Sequence, residues 1–424
     1  MLSNVLQVLF NMADVAVVGQ FAGSAALGSV GSTATLVALF TGILIGMSCG
    51  VNVLVALHYG AKKPKEVMET VHTSALVCLT LGVLLTITGV IYARDILQLL
   101  NTKEELIEGA AKYLRIYFMG MPALALYNFG NGVYSAVGET RMPLVYLTIA
   151  GVVNVILNLI LVIGFHMDVA GVAIASVISQ YISAVLILLS LLKVKDIYGL
   201  DFRKLRFHRD KVQSILTIGI PSSLQYAIFQ VANLFVQVGV NSFDAVMVEG
   251  NSAAANADAL VYDVMAAFYT ACSSFMSQNY GAGKKDRVLK SFLISLAYSF
   301  GIGTLMGLAL VVFGENFLAL FTKDALVIEA GMKRLTIMGL SYGVSAFMDA
   351  SIAACRGLGK SVIPTFIVIM GSCVFRVIWV YTVFAHFQTI PSLYLLYIFS
   401  WTITAVAELI YFIVTYRKQM KILQ

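Results

Sequence analysis

"HYGAKKPKEV", residues 58–67, interrupts an apolar stretch, and "NYGAGKKDRV" repeats the interruption at 279–288. Tyr59, Gly60, Ala61, Lys63 and Val67 recur as Tyr280, Gly281, Ala282, Lys284 and Val288, each 221 positions later. The same offset pairs Gly82 with Gly303, and Leu97 and Leu99 with Leu318 and Leu320. It also pairs Ile107, Glu108, Lys112, Leu114 and Ile116 with Ile328, Glu329, Lys333, Leu335 and Ile337. Gly138 and Pro143 then match Gly359 and Pro364. An unbroken register over such a length points to duplication. In both copies the glycine is expected to cap a helix C-terminus, with the lysines favouring that end of the dipole.

What is duplicated is a set of membrane helices. Apolar residues make up 59% of the 424, charged residues 12%, and the mean hydropathy is +0.88. A soluble domain carries about 25% charge. Twelve apolar runs of membrane-crossing length lie near 2–22, 34–57, 70–93, 113–137, 144–165, 169–193, 213–240, 253–276, 288–314, 333–356, 364–385 and 393–416. Lipid cannot satisfy backbone polar groups, and barrel-type alternation is absent, so these spans are expected to be helices. The formal net charge of +6 does not indicate a nucleic-acid partner, because the basic residues are sorted by loop. Twenty lie in the loops 58–69, 138–143, 193–212, 284–290 and 356–363 and in the tail after 416, against seven in the opposite loops. The richer side is expected in the cytoplasm, with both termini.

The expected fold is therefore an all-α membrane protein of 12 transmembrane helices in two parallel six-helix repeats around a central cleft. An N-lobe covers 1–193, a basic cytoplasmic linker 194–212, and a C-lobe 213–424. Rocking of two such lobes would expose the cleft alternately, which favours a monomeric transporter over a channel or receptor. The five cysteines all fall in apolar runs and read as buried apolar residues. The five histidines lack metal-ligand spacing, and no phosphate-binding loop is present, so no enzyme or cofactor is expected. The first apolar run has no basic head and is read as a span, not a cleaved signal. Gly42, Gly46 and Gly50 make a small-residue face suited to close helix packing.

Four further stretches carry a family resemblance: "NMADVAVVGQFAGSAALGSVG" at 11–31, "VLVALHYGA" at 53–61, "VAGVAIASVISQ" at 169–180 and "RGLGKSVIP" at 356–364. In combination they resemble the multidrug and toxic compound extrusion (MATE) transporters of the NorM and DinF type, over essentially the whole chain. The resemblance implies an antiporter that exports organic cations across the plasma membrane in exchange for protons or sodium ions. The family's usual amphipathic lead-in and proline do not precede "LSNVLQ" here. The native start is thus expected upstream of Met1 or the first helix to be shortened.

Charged groups within spans are costly and mark functional candidates. Asp14, Asn158 and Ser176 fall about 10–12 Å below the outer ends of spans 1, 5 and 6, and Asn154 lies one turn deeper than Asn158. Such oxygens suit a monovalent cation, and a desolvated carboxylate suits a proton. The resemblance places Asp14 at the family's first-helix coupling aspartate and Asn154 at its fifth-helix asparagine. Ser176 stands where threonine is common, and Asn158 where relatives have a second aspartate. One acid in place of two favours a proton over sodium at Asp14. In the second lobe Asp349 resembles the tenth-helix aspartate of the NorM branch, with Gln230 at its seventh-helix glutamate. Asp263 and Arg376 fall at similar depths, about 15 and 14 Å from outside, and are expected to form a buried pair. Tyr127, Phe129, Tyr134, Phe229 and Tyr262 are candidates to line the cleft and hold bulky cations. A lipid-linked saccharide flippase is the alternative, but it needs a strongly cationic cavity, and Arg376 is the one clear basic residue within a span.

Overall fold

The duplicated stretch folds into the same turn twice. Ala61 N–H donates to Leu57 O at 3.0 Å and Ala282 N–H to Gln278 O at 2.9 Å. Lys63 N–H donates to His58 O at 3.1 Å, and Lys284 N–H to Asn279 O at 2.9 Å. The left-handed residue is not the expected glycine. Gly60 and Gly281 end their helices, and positive φ falls two residues later, at Lys62 (53°) and Gly283 (69°). The tight closing bond that spans six residues requires its left-handed residue just before the final donor.

The computed structural model describes Val17, Val18, Phe21, residues 24–100, Thr102 and residues 104–422. Among these the secondary structure is helical, with no strand. The helices are α1 (Ser24–Gly60), α2 (Pro64–Leu99), α3 (Glu104–Phe118), α4 (Met121–Val137), α5 (Arg141–Gly164) and α6 (Asp168–Lys193). Six more follow: α7 (Arg209–Val240), α8 (Ala245–Gly281), α9 (Lys285–Leu318), α10 (Ala325–Gly357), α11 (Val362–Phe387) and α12 (Ile390–Ile422). The 221-residue offset recurs in the starts of α2 and α9, α3 and α10, and α5 and α11. It recurs in the left-handed glycines Gly138 and Gly359, and in the π turns Leu159–Gly164 and Val380–Phe384. Duplication thus extends to backbone irregularities.

Among the described residues, ten helices are long and apolar enough to cross a membrane. Of the expected spans, the first lies outside the described residues for most of its length, and the fourth is broken. Pro122 has no N–H to give Phe118 O, four residues earlier, and the chain turns at Met119 and Gly120. The carbonyls at the break are claimed by neighbours: Thr86 Oγ1 donates to Phe118 O at 2.7 Å and Tyr181 Oη to Met119 O at 3.0 Å. A Cβ on Gly120 would come within 1.9 Å of Gln180 Oε1. The matching region of α10 has no proline and stays helical.

The chain divides into two compact units between Ser223 and Leu224, within α7. In the N-lobe, α4 packs against α1, α2 and α6. The glycine face of α1 receives the first part of α7: a Cβ on Gly46 would lie 2.3 Å from Ser223 N, and one on Gly50 2.7 Å from Ile215 O. The basic linker is bonded to α2. His72 donates from Nδ1 to Met68 O at 2.6 Å and accepts from the Asp201 amide at 3.0 Å, while Thr73 Oγ1 donates to Arg206 O. In the C-lobe, α10 packs against α8, α9 and α12.

Apolar side chains cover the outer faces of the helices, and many polar residues within the apolar runs turn inward. On α12, Ile403, Val406, Ile410 and Val414 are exposed, whereas Ser400, Thr404 and Glu408 are fully buried. That is the inverse of a soluble amphipathic helix and suits a hydrocarbon surround.

Candidate functional site

In the N-lobe, α5 and α6 bury Asn154, Asn158 and Ser176. Asn154 and Asn158 share a helix face, and Asn158 Nδ2 donates to Asn154 Oδ1 at 3.3 Å. Asp14, the expected acid of this layer, lies outside the described residues. Gln180 was not anticipated. It stands one turn beyond Ser176, its Oε1 buried with no hydrogen-bond partner among the described residues and held against Gly120. Its signal in the sequence was its spacing of four from Ser176.

The N-lobe aromatics do not form an open lining. Tyr127, Phe129 and Tyr134 are buried in that lobe's own packing, because neighbours cover α4 on three sides. Tyr127 Oη donates to Pro143 O at 3.2 Å, and Tyr134 Oη shares a 2.5 Å hydrogen bond with Ser190 Oγ.

The charged groups gather in the C-lobe. Arg376 on α11 is buried in a cage of rings, its guanidinium carbon 4.5 Å from the Tyr397 centroid, 5.4 Å from Phe229 and 5.9 Å from Trp401. It donates to Asn233 Oδ1 at 3.2 Å and to Ser400 Oγ at 3.4 Å. Tyr262 meets Trp401 and Tyr342 edge-on, at 5.9 and 5.8 Å. Asp349 on α10 is half-buried, within the electrostatic reach of Arg356 and Arg376. Arg376, Phe229, Tyr262 and Asp349 are therefore brought into one neighbourhood. Gln230, also half-buried, is not among the partners of Arg376.

Nor is Asp263, and the expected Asp263–Arg376 pair does not form. The buried ion pair joins Asp258 on α8 to Arg334 on α10. Tyr342 Oη donates to the other Asp258 oxygen, Arg334 also donates to Asn251 Oδ1, and Tyr394 Oη reaches that same oxygen at 2.7 Å. In the sequence Arg334 falls at the outer edge of the apolar run near 333–356, counted with the outer loops, and Asp258 falls near the start of the run 253–276. Both helices start eight residues earlier than the apolar runs do, at Ala245 and Ala325, which puts Arg334 about 14 Å along α10. Glu249, Asn251 and Ser252 in α8, and Glu329, Lys333 and Arg334 in α10, interrupt the apolar content there.

On the N-lobe side, Glu66, Glu69 and Asp210 converge closely enough to hold a cation. Lys211 already supplies the positive charge, bonded to Glu66 and 3.0 Å from Asp210.

Two repeated bundles of apolar helices with polar, charged and aromatic groups gathered inside them define a multi-pass membrane transporter. The MatE family model matches residues 1–160 and 221–382, and the chain belongs to that family, the multidrug and toxic compound extrusion transporters. The probable multidrug resistance protein YoeA of Bacillus subtilis is 26% identical over 374 residues, covering 87% of this chain and 81% of that protein. A FAD transporter of Shewanella oneidensis is 24% identical, covering 79% and 75%. The probable multidrug resistance protein NorM of Thermotoga maritima is 24% identical, covering 91% and 83%. The chain shares the fold of an outward-facing multidrug resistance MATE family transporter, with a TM-score of 0.92 and 20% identity over 99% of this chain and 94% of the other.

Proposed function

We propose that this protein is a monomeric secondary antiporter of the plasma membrane, with both termini in the cytoplasm. It exports organic cations in exchange for a coupling ion, a proton or sodium. The observation that carries the reading is Asp349, a half-buried acid inside an apolar lobe within electrostatic reach of Arg376, whose guanidinium the Phe229, Tyr397 and Trp401 rings surround. Rings of this kind hold flat cations through their quadrupoles, and an acid within a span is too costly to keep without a task. Names of relatives such as YoeA and NorM support a drug-like cargo.

In the N-lobe, Asp14, Asn154, Asn158 and Ser176 form the coupling layer. A neutral Asn158 leaves Asp14 as the single acid of this set, which favours a proton over sodium, since sodium gains less from one carboxylate than from two. Asp349 forms the corresponding C-lobe group, with Gln230, Asp263 and Arg376 adjusting the local charge. A saccharide flippase is disfavoured, because the interior of the C-lobe is not cationic: Asp258, Asp349 and Glu408 offset Arg334, Arg356 and Arg376.

The test is ethidium efflux from vesicles containing the purified protein, driven in turn by a pH gradient and a sodium gradient. Efflux is expected with the pH gradient, and its loss in Asp349→Asn without loss of membrane insertion. Wild-type efflux in Asp349→Asn would remove that residue from the mechanism, and no efflux with either gradient would overturn the exporter.

A further inference from the structure

Along the buried face of α12, Ser400, Thr404 and Glu408 follow one another at successive turns, all fully buried. The two hydroxyls are satisfied. Ser400 accepts from Arg376, while Thr404 donates to Ser400 O at 2.7 Å and shares a 2.9 Å bond with Ser372 of α11. Glu408 is different: both carboxyl oxygens are buried without a hydrogen-bond partner among the described residues. Its electrostatic neighbours are Arg356 and Asp349 of α10, with the Cys355 thiol beside it. From α11, Arg376 reaches Asp349. Arg356 is also incompletely bonded, since Nη2 donates to Gln225 Oε1 at 2.6 Å but Nε is buried without an acceptor.

Packing does not require an acid here. The residues 221 positions earlier are Ser179, Ser183 and Ile187, and Ile187 fills the equivalent place fully buried, against Gly130. Asp349 and Arg356 likewise correspond to the neutral Asn128 and Ser135. Three charged groups thus gather in one repeat where the other has none. A permanent structural ion pair in so dry a place would be fully hydrogen-bonded, because an incompletely bonded one is strongly destabilising. A buried carboxyl without donors instead needs a positive companion that can come and go.

We propose that Glu408 is a proton-exchanging group of the C-lobe, working with Asp349 through Arg356. With the proton bound, Glu408 is neutral and Arg356 rests on Gln225. When the proton leaves, the carboxylate accepts a hydrogen bond from Arg356 Nε, and the charge presented to Asp349 falls. The inference rests on the reading of this lobe as ion-coupled.

Infrared difference spectroscopy on the full-length protein in lipid vesicles tests it separately from transport. In sodium-free buffer a buried carboxyl C=O band should appear and disappear with pH, and Glu408→Gln should abolish it. In the efflux assay Glu408→Gln, which keeps the neutral shape, should lose the pH-gradient drive, and Glu408→Asp should restore part of it with a shifted pH profile. A band unchanged by Glu408→Gln, or one that responds to sodium and never to pH, overturns the proposal, as does an unaltered pH profile of efflux. Should Glu408→Gln fail to fold, the wild-type band and its displacement in Glu408→Asp decide the matter. Absence of ethidium efflux in the wild type would sink the exporter reading while leaving the infrared result to stand or fall alone.

Discussion

Removing Arg334 from beneath Asp258 should destabilise the C-lobe, and the internal repeat supplies the control. The positions 221 residues earlier hold Val37 and Tyr113, so the N-lobe has an apolar and an aromatic residue where the C-lobe has an ion pair. Arg334→Tyr leaves the buried Asp258 carboxylate with one donor, the Tyr342 hydroxyl, and Asn251 Oδ1 with Tyr394. Loss of one member of a buried pair costs about 3–5 kcal/mol. For a unit of some 200 residues this corresponds to a fall of about 6–20 °C in the melting midpoint. Asp258→Val combined with Arg334→Tyr removes both charges and should recover most of the loss. The Tyr342 hydroxyl would remain orphaned, at about 1–3 kcal/mol. The assay is thermal exposure of the buried thiols Cys272, Cys355 and Cys373 to a fluorogenic maleimide in detergent. A single variant melting within about 2 °C of wild type, or a double variant worse than either single, would refute the reasoning.

Four shorter predictions follow from other contacts. Gly46→Leu would drive a side chain into the Ser223 backbone, so the N-lobe should fail to assemble and the protein elute as aggregate on size exclusion. Gly120→Ala collides with the Gln180 amide and should cost about 1–3 kcal/mol in thermal unfolding, recovered by pairing it with Gln180→Ala; an additive double variant would exclude the contact. Asn158→Asp should add a second acid to the proposed N-lobe set and give dye efflux a sodium dependence that the wild type lacks; equal dependence in both counts against the N-lobe layer. Cysteines introduced at Lys204 and Lys285 should be shielded from impermeant reagents in intact cells while one at Gly23 reacts, and the reverse pattern would invert the proposed orientation.

The sequence alone determined the membrane class, because hydropathy depends on composition along the chain and needs no partner. It also determined the duplication, since one offset links Tyr59 to Tyr280 and Pro143 to Pro364. The small-residue face of α1 was legible for the same local reason. Tertiary structure decided which charges meet. Asp258 and Arg334 are 76 residues apart, and only the packing of α8 on α10 joins them. Asp263, close in sequence to Asp258, is left out of that network, because five residues along a helix turn a side chain through about 500° and away from its neighbour's face. Depth estimates placed Arg376 beside Asp263, but depth carries no angular information, and the guanidinium found the rings of α7 and α12 instead. Glu408 gave no signal beyond being an acid in a span. That its oxygens are without donors depends on every helix around it, and no stretch of sequence contains that.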